Sequence, residues 1–192
     1  SEEAQDYEVS SNGARFRSTL KNYAGTLTGT GILESNFDIS FAANASGFSG
    51  ETKISNSNFT IKSGAQLGTG TFTVGANANL IFDGNQTFNN TVSGDGSMKV
   101  IAGTLNFGGN ASTLAGTATV DGNSAKIIAG TGSTLNNLAL KNNASAELAG
   151  TINGDLSIAG ASATLKTGAT VAGKFILDNA TLTTESELTL NN

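Results

Sequence analysis

Short apolar–x–apolar segments recur along the chain at a step close to 18 residues, separated by Gly, Asn, Ser and Thr. Within each segment, apolar and polar residues alternate with a period of two, which is typical of a strand with one buried face. Helical spacing is not sustained over any useful window. Three apolar columns advance together: Leu138, Leu156 and Phe175, with Leu140, Ile158 and Leu177 two residues later; Leu148, Leu165 and Leu182; and Ile152, Val171 and Leu188.

Three columns per repeat predict three short strands in each turn of a solenoid, with every strand stacked on its counterpart one turn earlier. Upstream coils are expected to vary in length, because the apolar positions Phe41, Phe59, Leu80, Met98 and Ala118 are unevenly spaced. The sides of a coil are also unequal, which favours a right-handed winding over the left-handed form built from strict hexapeptides. The predicted fold is therefore an all-β, right-handed parallel β-helix of about nine coils with three strands per coil.

The chain divides into two regions that differ in their density of charged residues. Residues 1–24 are rich in charge and are expected to be a charged N-terminal segment, a partial coil or a cap, whereas residues 25–192 form the β-helix. Ser1 begins an acidic stretch that lacks the features of a signal peptide. At the other end, the pattern of Glu187–Asn192 still predicts a strand, with no polar cap after it. The chain is therefore expected to be a fragment of a longer rod, whose uncovered end contacts another copy in concentrated solution.

Composition narrows the function classes. The 192 residues carry a net charge of −5, with 13% charged residues and no Pro, Cys, His or Trp. Basic residues are scattered singly, which argues against a nucleic-acid partner. No stretch approaches the ~20 apolar residues of a transmembrane helix. Without His or Cys, the usual general base and thiolate nucleophile are missing. The absence of Pro suits strands that are paired on both sides.

Three groups of residues offer chemistry, and none of them matches the requirements of an active or metal site. Ser93-Gly94-Asp95-Gly96-Ser97 superficially resembles the surroundings of a protease serine, but no His can complete a triad. Asp83-Gly84-Asn85 and Asp121-Gly122-Asn123 offer oxygen ligands for calcium, but no acid lies in register midway between them. Polysaccharide lyases and hydrolases need two or three carboxylates close together on one face. Among the regular coils, only Glu185 and Glu187 lie close together. The sequence thus predicts no enzyme, names no catalytic, metal or cofactor residue, and leaves binding residues unknown.

Ice binding is an alternative from outside this class, because Thr-x-Thr recurs at Thr26/Thr28, Thr71/Thr73, Thr117/Thr119 and Thr181/Thr183. The separations between these pairs are not multiples of one coil, so the pairs are not expected to stack. In addition, the face that carries Leu148 and Leu165 includes Glu147 and Lys166, which makes it mixed and charged.

One segment resembles a known family. Residues 29–61 read GTGILESNFDISFAANASGFSGETKISNSNFTI, which resembles the passenger-associated repeat of bacterial autotransporters. The matching residues are Gly29, Thr30, Gly31, Leu33, Asn44, Phe48, Ser49, Gly50, Thr52, Ile54, Phe59 and Ile61. A partial echo follows at Gly103-Thr104-Leu105 with Asn110. Glu34-Ser35-Asn36 departs from the Gly-rich turn of the family.

The resemblance implies a passenger domain of type V secretion, exported through the outer membrane and displayed on the bacterial cell surface or secreted. It implies a non-covalent role in virulence, as an adhesin, a self-association module or a stalk. The implied partners are host cell-surface or matrix molecules, or identical passengers on neighbouring cells, with a possible homo-oligomer through coil ends or lateral faces. A toxin passenger that acts on host cells is the alternative within the family. No cofactor is implied.

Overall fold

A computed structural model describes residues 1–187 of the chain. All strand pairs in it are parallel, and they stack as a β-solenoid of about nine turns with three faces. The predicted all-β solenoid with three strands per coil is therefore confirmed. Parallel strands joined by crossover connections wind right-handedly in nearly all proteins, in line with the predicted hand. The described residues contain one helical element, a 3₁₀ turn at Glu2–Ala4.

We number the faces in the order in which the chain passes through them. Face 1 consists of β1 (Tyr7–Val9), β4 (Thr26–Gly29), β7 (Asn44–Phe48), β12 (Gln86–Phe88), the second half of β14 (Ser97–Phe107), β16 (Ala125–Ala129), β19 (Ser145–Leu148), β22 (Ser162–Leu165) and β25 (Thr181–Thr184). Face 2 consists of β2 (Ala14–Arg15), β5 (Leu33–Ser35), β8 (Thr52–Ile54), β10 (Phe72–Val74), β13 (Val92–Ser93), β17 (Thr134–Leu135), β20 (Thr151–Ile152) and β23 (Thr170–Val171). Isolated bridges through Asn110 join β13 to β17 across the sixth coil.

Face 3 has a strand in every coil and gives the clearest count of turns. Its strands are β3 (Asn22–Tyr23), β6 (Ile39–Phe41), β9 (Asn58–Lys62), β11 (Asn79–Asp83), the first half of β14, β15 (Ala118–Asp121), β18 (Leu138–Lys141), β21 (Leu156–Ala159) and β24 (Phe175–Asp178). Nine strands on one face define nine coils among residues 1–187, and we number the coils one to nine from the N-terminus.

Residues with positive φ form the corner between faces 3 and 1. They are Gly64, Gly84, Gly103, Gly122, Asn142, Asn143, Gly160 and Asn179. Gly and Asn are the residues that adopt this left-handed conformation most readily. At Gly103 (φ +73°) the corner lies inside a paired segment, since Gly103 pairs with Ala125. The segments Met98–Ile101 and Thr104–Phe107 therefore form one continuous strand, β14.

One apolar core runs the length of the rod, and its composition changes along the axis. In the first half, ring contacts at 5.1–6.1 Å between centroids connect Tyr7, Tyr23, Phe41, Phe59, Phe72, Phe88 and Phe107 in a continuous aromatic column. In the second half, Leu, Ile and Ala fill the interior. Burial of these side chains is the main driving force for stacking the coils.

The predicted columns are confirmed in most places and wrong in two. Leu138, Leu156 and Phe175 stack as predicted, as do Leu140, Ile158 and Leu177. However, Leu165 pairs with Thr184, and Leu182 pairs with Ala163. Similarly, Phe59 pairs with Ile39 and not with Phe41. In both cases the coil is longer than the 17 or 18 residues assumed, so the register differs by two residues, which preserves the inward face.

The segment 1–24 carries the first coil, formed by β1, β2 and β3. Phe16, Leu20 and Tyr23 are buried in this coil. At the other end, Leu188 and the rest of the predicted last strand, residues 188–192, lie outside the described residues. Over residues 1–187, the chain forms no helix with the length and apolar character required to cross a bilayer.

Candidate binding faces

Face 1 carries a ladder of alternating charge on consecutive coils, which we call the charge ladder: Lys126, Glu147, Lys166 and Glu185. Lys126 Nζ lies 3.0 Å from Glu147 Oε2, and Lys166 Nζ lies 3.8 Å from Glu147 Oε1. Lys166 Nζ also lies 2.9 Å from Glu185 Oε1. Each inner member of the ladder therefore faces an opposite charge on both neighbouring coils. If the coils were shifted by one residue relative to each other, these opposite charges would no longer be neighbours. The ladder therefore favours the observed register.

The ladder shifts the titration of its members. The hydrogen bond from Lys126, together with its charge, lowers the pKa of Glu147, and Lys166 contributes further. The hydrogen bond with Lys166 lowers the pKa of Glu185. The same bond to Glu185 raises the pKa of Lys166. All three groups are solvent-accessible, so the ladder contributes to register more than to overall stability.

The acidic residues considered for calcium are engaged in comparable contacts. Asp83 forms an ion pair with Lys62 on the preceding coil. Asp121 accepts a hydrogen bond from Asn142 Nδ2 at 2.7 Å and lies 3.8 Å from Lys141 Nζ. The glycines that follow them, at positions 84 and 122, have positive φ. Both segments are corners, and the described residues contain no group of three or more potential metal ligands.

The Ser93–Ser97 segment is the corner between faces 2 and 3 in the fifth coil. Gly94 has φ +111°, and the backbone N–H of Gly96 donates to the carbonyl oxygen of Val74 at 2.9 Å. The segment therefore continues the stack onto the previous coil, as the interpretation as a turn predicts. Glu185 belongs to the charge ladder, and Glu187 is exposed.

Face 2 changes character along the rod. In its first three coils, Arg15, Glu34 and Lys53 stack in register as a second run of alternating charge. The Arg15 guanidinium donates two hydrogen bonds, at 2.8 and 2.6 Å, to Glu34 Oε2. From the fourth coil onward, the outward positions of the face carry no charge.

We call this uncharged region of coils four to nine the hydroxyl–amide face. Each coil contributes the residue before and the residue after one inward apolar residue. The pairs are Thr71/Thr73, Thr91/Ser93, Asn110/Ser112, Thr134/Asn136, Thr151/Asn153 and Thr170/Ala172, which flank Phe72, Val92, Ala111, Leu135, Ile152 and Val171. All twelve flanking side chains are partly or fully exposed. Eleven of them carry a hydroxyl or a carboxamide, five of the six residues in the leading column being Thr.

The register of this face is fixed by backbone and side-chain bonds. Thr134 pairs with Thr151, and Thr151 pairs with Thr170. Thr170 Oγ1 donates to Thr151 Oγ1 at 3.2 Å, and Asn136 Nδ2 donates to the carbonyl oxygen of Leu114 at 3.0 Å. The leading residues are thereby held in one column with a step of about 4.8 Å along the rod. The trailing residues are interrupted in the sixth coil, where Ser112 lies in a turn between Ala111 and Leu114.

The hydroxyl–amide face was not predicted from the sequence, where the recurring Thr-x-Thr pairs were the candidate signal for a polar face. Those pairs lie on three different faces: Thr26/Thr28 and Thr181/Thr183 on face 1, Thr71/Thr73 on face 2 and Thr117/Thr119 at face 3. They do not stack, as expected. The signal that would have found the face is a Thr immediately before the inward residue of the face 2 strand in five of the six coils from four to nine.

A cavity of about 320 Å³ opens at the first coil. Its apolar residues include Phe16, Leu20, Leu27 and Leu33, and Arg17 Nε and Glu2 Oε1 approach to 4.0 Å at its edge. The cavity lies at the N-terminal end of the apolar core, and its lining combines buried apolar side chains with charged ones. Nothing in its lining defines a specific chemistry.

The residues that carry the resemblance to autotransporter passengers form core and corners. Leu33, Phe48 and Ile54 are buried. Gly31 and Gly50 lie where a Cβ would meet the backbone of the preceding coil at 1.7 and 1.8 Å. These roles are required by the stacking itself. Comparisons with protein-family models, curated proteins and solved structures found no match for this chain.

Proposed function

We propose that this chain is a passenger-type β-solenoid displayed on a bacterial surface or secreted, which acts as a non-covalent binding rod. The observation that carries the proposal is one uninterrupted apolar core that supports three faces over nine coils. Such a rod presents the same outward positions again and again, so weak contacts add along its length. The resemblance of residues 29–61 to the passenger-associated repeat supports export by type V secretion.

The stacking mode supports the same proposal. Each coil contacts only its neighbours, so the chain can fold coil by coil as it emerges from a secretion pore. The chain has no Cys, so no disulfide can form before such transport. The ion pairs across coils, such as Arg15–Glu34 and Lys166–Glu185, lie on outward faces and join segments 19 residues apart. They favour correct register without a covalent bond.

The adhesive role is tested by display. The chain is joined to an outer-membrane translocator and expressed on a non-adherent bacterium, and protease resistance verifies that it is folded at the surface. We expect the cells to settle faster or to bind matrix-coated plates more strongly than cells that display the translocator alone. Cells that display folded rod but neither clump nor bind would contradict the adhesive role. Damage to cultured host cells by the purified protein would favour the toxin alternative.

A further inference from the structure

We propose that the hydroxyl–amide face of coils four to nine binds the surface of ice. The proposal names a ligand class for one face and does not depend on how the protein is exported. It rests on the leading column of this face, in which Thr71, Thr91, Asn110, Thr134, Thr151 and Thr170 stack on consecutive coils.

The chemistry of the face matches an ordered array of water. A Thr hydroxyl donates one hydrogen bond and accepts others, and an Asn carboxamide does both as well. The surface of ice is likewise an uncharged lattice in which every water molecule donates and accepts. Charged side chains would hold their own hydration and resist its removal. The absence of charge at all twelve outward positions of the face, in a chain of net charge −5, is therefore the relevant feature.

The face is also rigid and extensive. Thr is β-branched and restricted at χ1, and the parallel ladder fixes its backbone: Thr151 N–H donates to Ser133 O at 2.9 Å and Thr170 N–H to Gly150 O at 3.1 Å. Little freedom is lost when such groups meet a lattice. Six coils give a leading column about 24 Å long, over which individually weak hydrogen bonds add.

The other surfaces of the rod lack this combination. Face 1 carries the charge ladder, and the first three coils of face 2 carry Arg15, Glu34 and Lys53. Face 3 carries the ion pairs Lys62–Asp83 and Lys141–Asp121. Polysaccharide binding commonly uses exposed aromatic rings as stacking platforms. The hydroxyl–amide face has none, because the one large exposed aromatic side chain among the described residues, Phe37, lies between β5 and β6 in the second coil. An uncharged polar face without aromatic rings favours a ligand that is recognised by the spacing of its hydrogen-bonding groups.

The test uses the purified chain in assays of ice recrystallisation and of partition into a slowly growing ice hemisphere. Thr151→Tyr places a ring in the leading column, between Thr134 and Thr170. Thr164→Tyr is the matched control, because Thr164 is a partly exposed residue in a neighbouring strand of face 1. Circular dichroism and thermal unfolding verify that both variants fold. Thr91→Tyr, three coils away on the same face, replaces Thr151→Tyr should the latter be unfolded.

We expect the wild-type chain to suppress recrystallisation and to enter the ice, with Thr151→Tyr needing about tenfold more protein for the same effect. Thr164→Tyr should equal the wild type. No effect of the folded wild-type chain on ice would overturn the proposal, as would equal losses in the two variants. Concentration-dependent association that Thr151→Tyr abolishes, without any ice activity, would identify the face as a contact between copies and also overturn it. Failure here leaves the display assay unaffected, so the two proposals are tested separately.

Discussion

Gly50 lies so close to Gly31 on the preceding coil that a Cβ at position 50 would be 1.8 Å from the Gly31 carbonyl oxygen. The contact continues to the next coil, where a Cβ on Gly70 would lie 1.8 Å from the carbonyl oxygen of Gly50. The corner between faces 1 and 2 is therefore a column of touching backbones. Any side chain at this corner has to displace the coil beneath it.

Gly50→Ala is expected to lower the free energy of unfolding by more than about 3 kcal/mol, because backbone atoms have to shift to relieve the overlap. Gly130→Ala is the control, since the nearest atom to its Cβ would be Phe107 O at 3.9 Å and its φ is not positive. That variant should remain within about 1 kcal/mol of the wild type. Urea unfolding followed by circular dichroism measures both. Equal stability of the two variants would contradict the described corner.

Ser35 places its hydroxyl in the core, where Oγ is fully buried and has no hydrogen-bond partner among the described residues. Ser35→Ala removes this unsatisfied group and is expected to raise the free energy of unfolding by about 1 kcal/mol. Ser57→Ala is the opposite case, because Ser57 Oγ donates to Ser35 O at 3.3 Å. It should lower stability. Destabilisation by Ser35→Ala would mean that its hydroxyl has a partner in solution.

Tyr23 connects the first coil to the segment before it, since its hydroxyl contacts Gln5 O at 2.9 Å and Thr26 O at 3.0 Å. Burial, with a smaller contribution from Asp6, raises the pKa of Tyr23 to about 12. A raised pKa means that the folded state favours the protonated phenol. The stabilisation is therefore complete below pH 10, the ordinary value for tyrosine, and is lost as the pH rises towards 12.

The measurement compares urea midpoints at increasing pH for Tyr7→Phe and for Tyr7→Phe/Tyr23→Phe. The first variant leaves Tyr23 as the one remaining tyrosine of the chain, so its absorbance reports this phenol directly. The stability difference between the two variants should shrink between pH 10 and pH 12. A difference that is constant with pH would show that Tyr23 titrates normally.

The charge ladder predicts a linked change in carboxylate titration. Lys166→Gln removes the cation shared by Glu147 and Glu185, so the pKa of each carboxyl should rise towards its ordinary value, with the larger rise at Glu185. Lys174→Gln is the control, because Lys174 has no ion pair in the described structure. Side-chain carboxyl chemical shifts followed by NMR during an acid titration give both values.

The sign of the accompanying stability change follows from these lowered pKa values. The carboxylates stabilise the folded state above their unfolded pKa, and this contribution is lost as the pH falls through the folded values. Wild type and Lys166→Gln should therefore converge in stability in acid. The effect is expected to be small and to weaken with salt, since the ladder is solvent-exposed. Unchanged carboxyl titration in Lys166→Gln would show that the ladder does not form.

The sequence predicted well which side chains of each strand face the core, and poorly how the outward-facing side chains stack. Leu138, Leu156 and Phe175 could be aligned because the core accepts only apolar side chains there, and each coil repeats the requirement. Where the coil length changes, as between Phe41 and Ile61, two apolar residues in one strand allow a slip of two positions. Sequence spacing alone cannot distinguish these registers.

The outward positions are under no such constraint, and this explains why the candidate face was not found from the sequence. Thr151 and Thr170 become neighbours only after the register of face 2 is known. The Thr that precedes the inward residue in five of these six coils is also one of many Thr residues in the chain, so it does not stand out. The ion pair between Lys166 and Glu185 was likewise not predicted from the sequence, because its partners lie 19 residues apart.

The stacking of coils is tested most directly by pulsed electron paramagnetic resonance between spin labels on face 3. The wild-type chain has no Cys, so two cysteines can be introduced at chosen positions and labelled. One label replaces Ser157, and the other replaces Ile81, Thr60 or Ser40, which lie four, five and six coils away in register. The solenoid predicts mean distances of about 19, 24 and 29 Å, an equal increment of about 4.8 Å for each coil. Distances that do not rise linearly with coil number would contradict the stacked solenoid and every face derived from it.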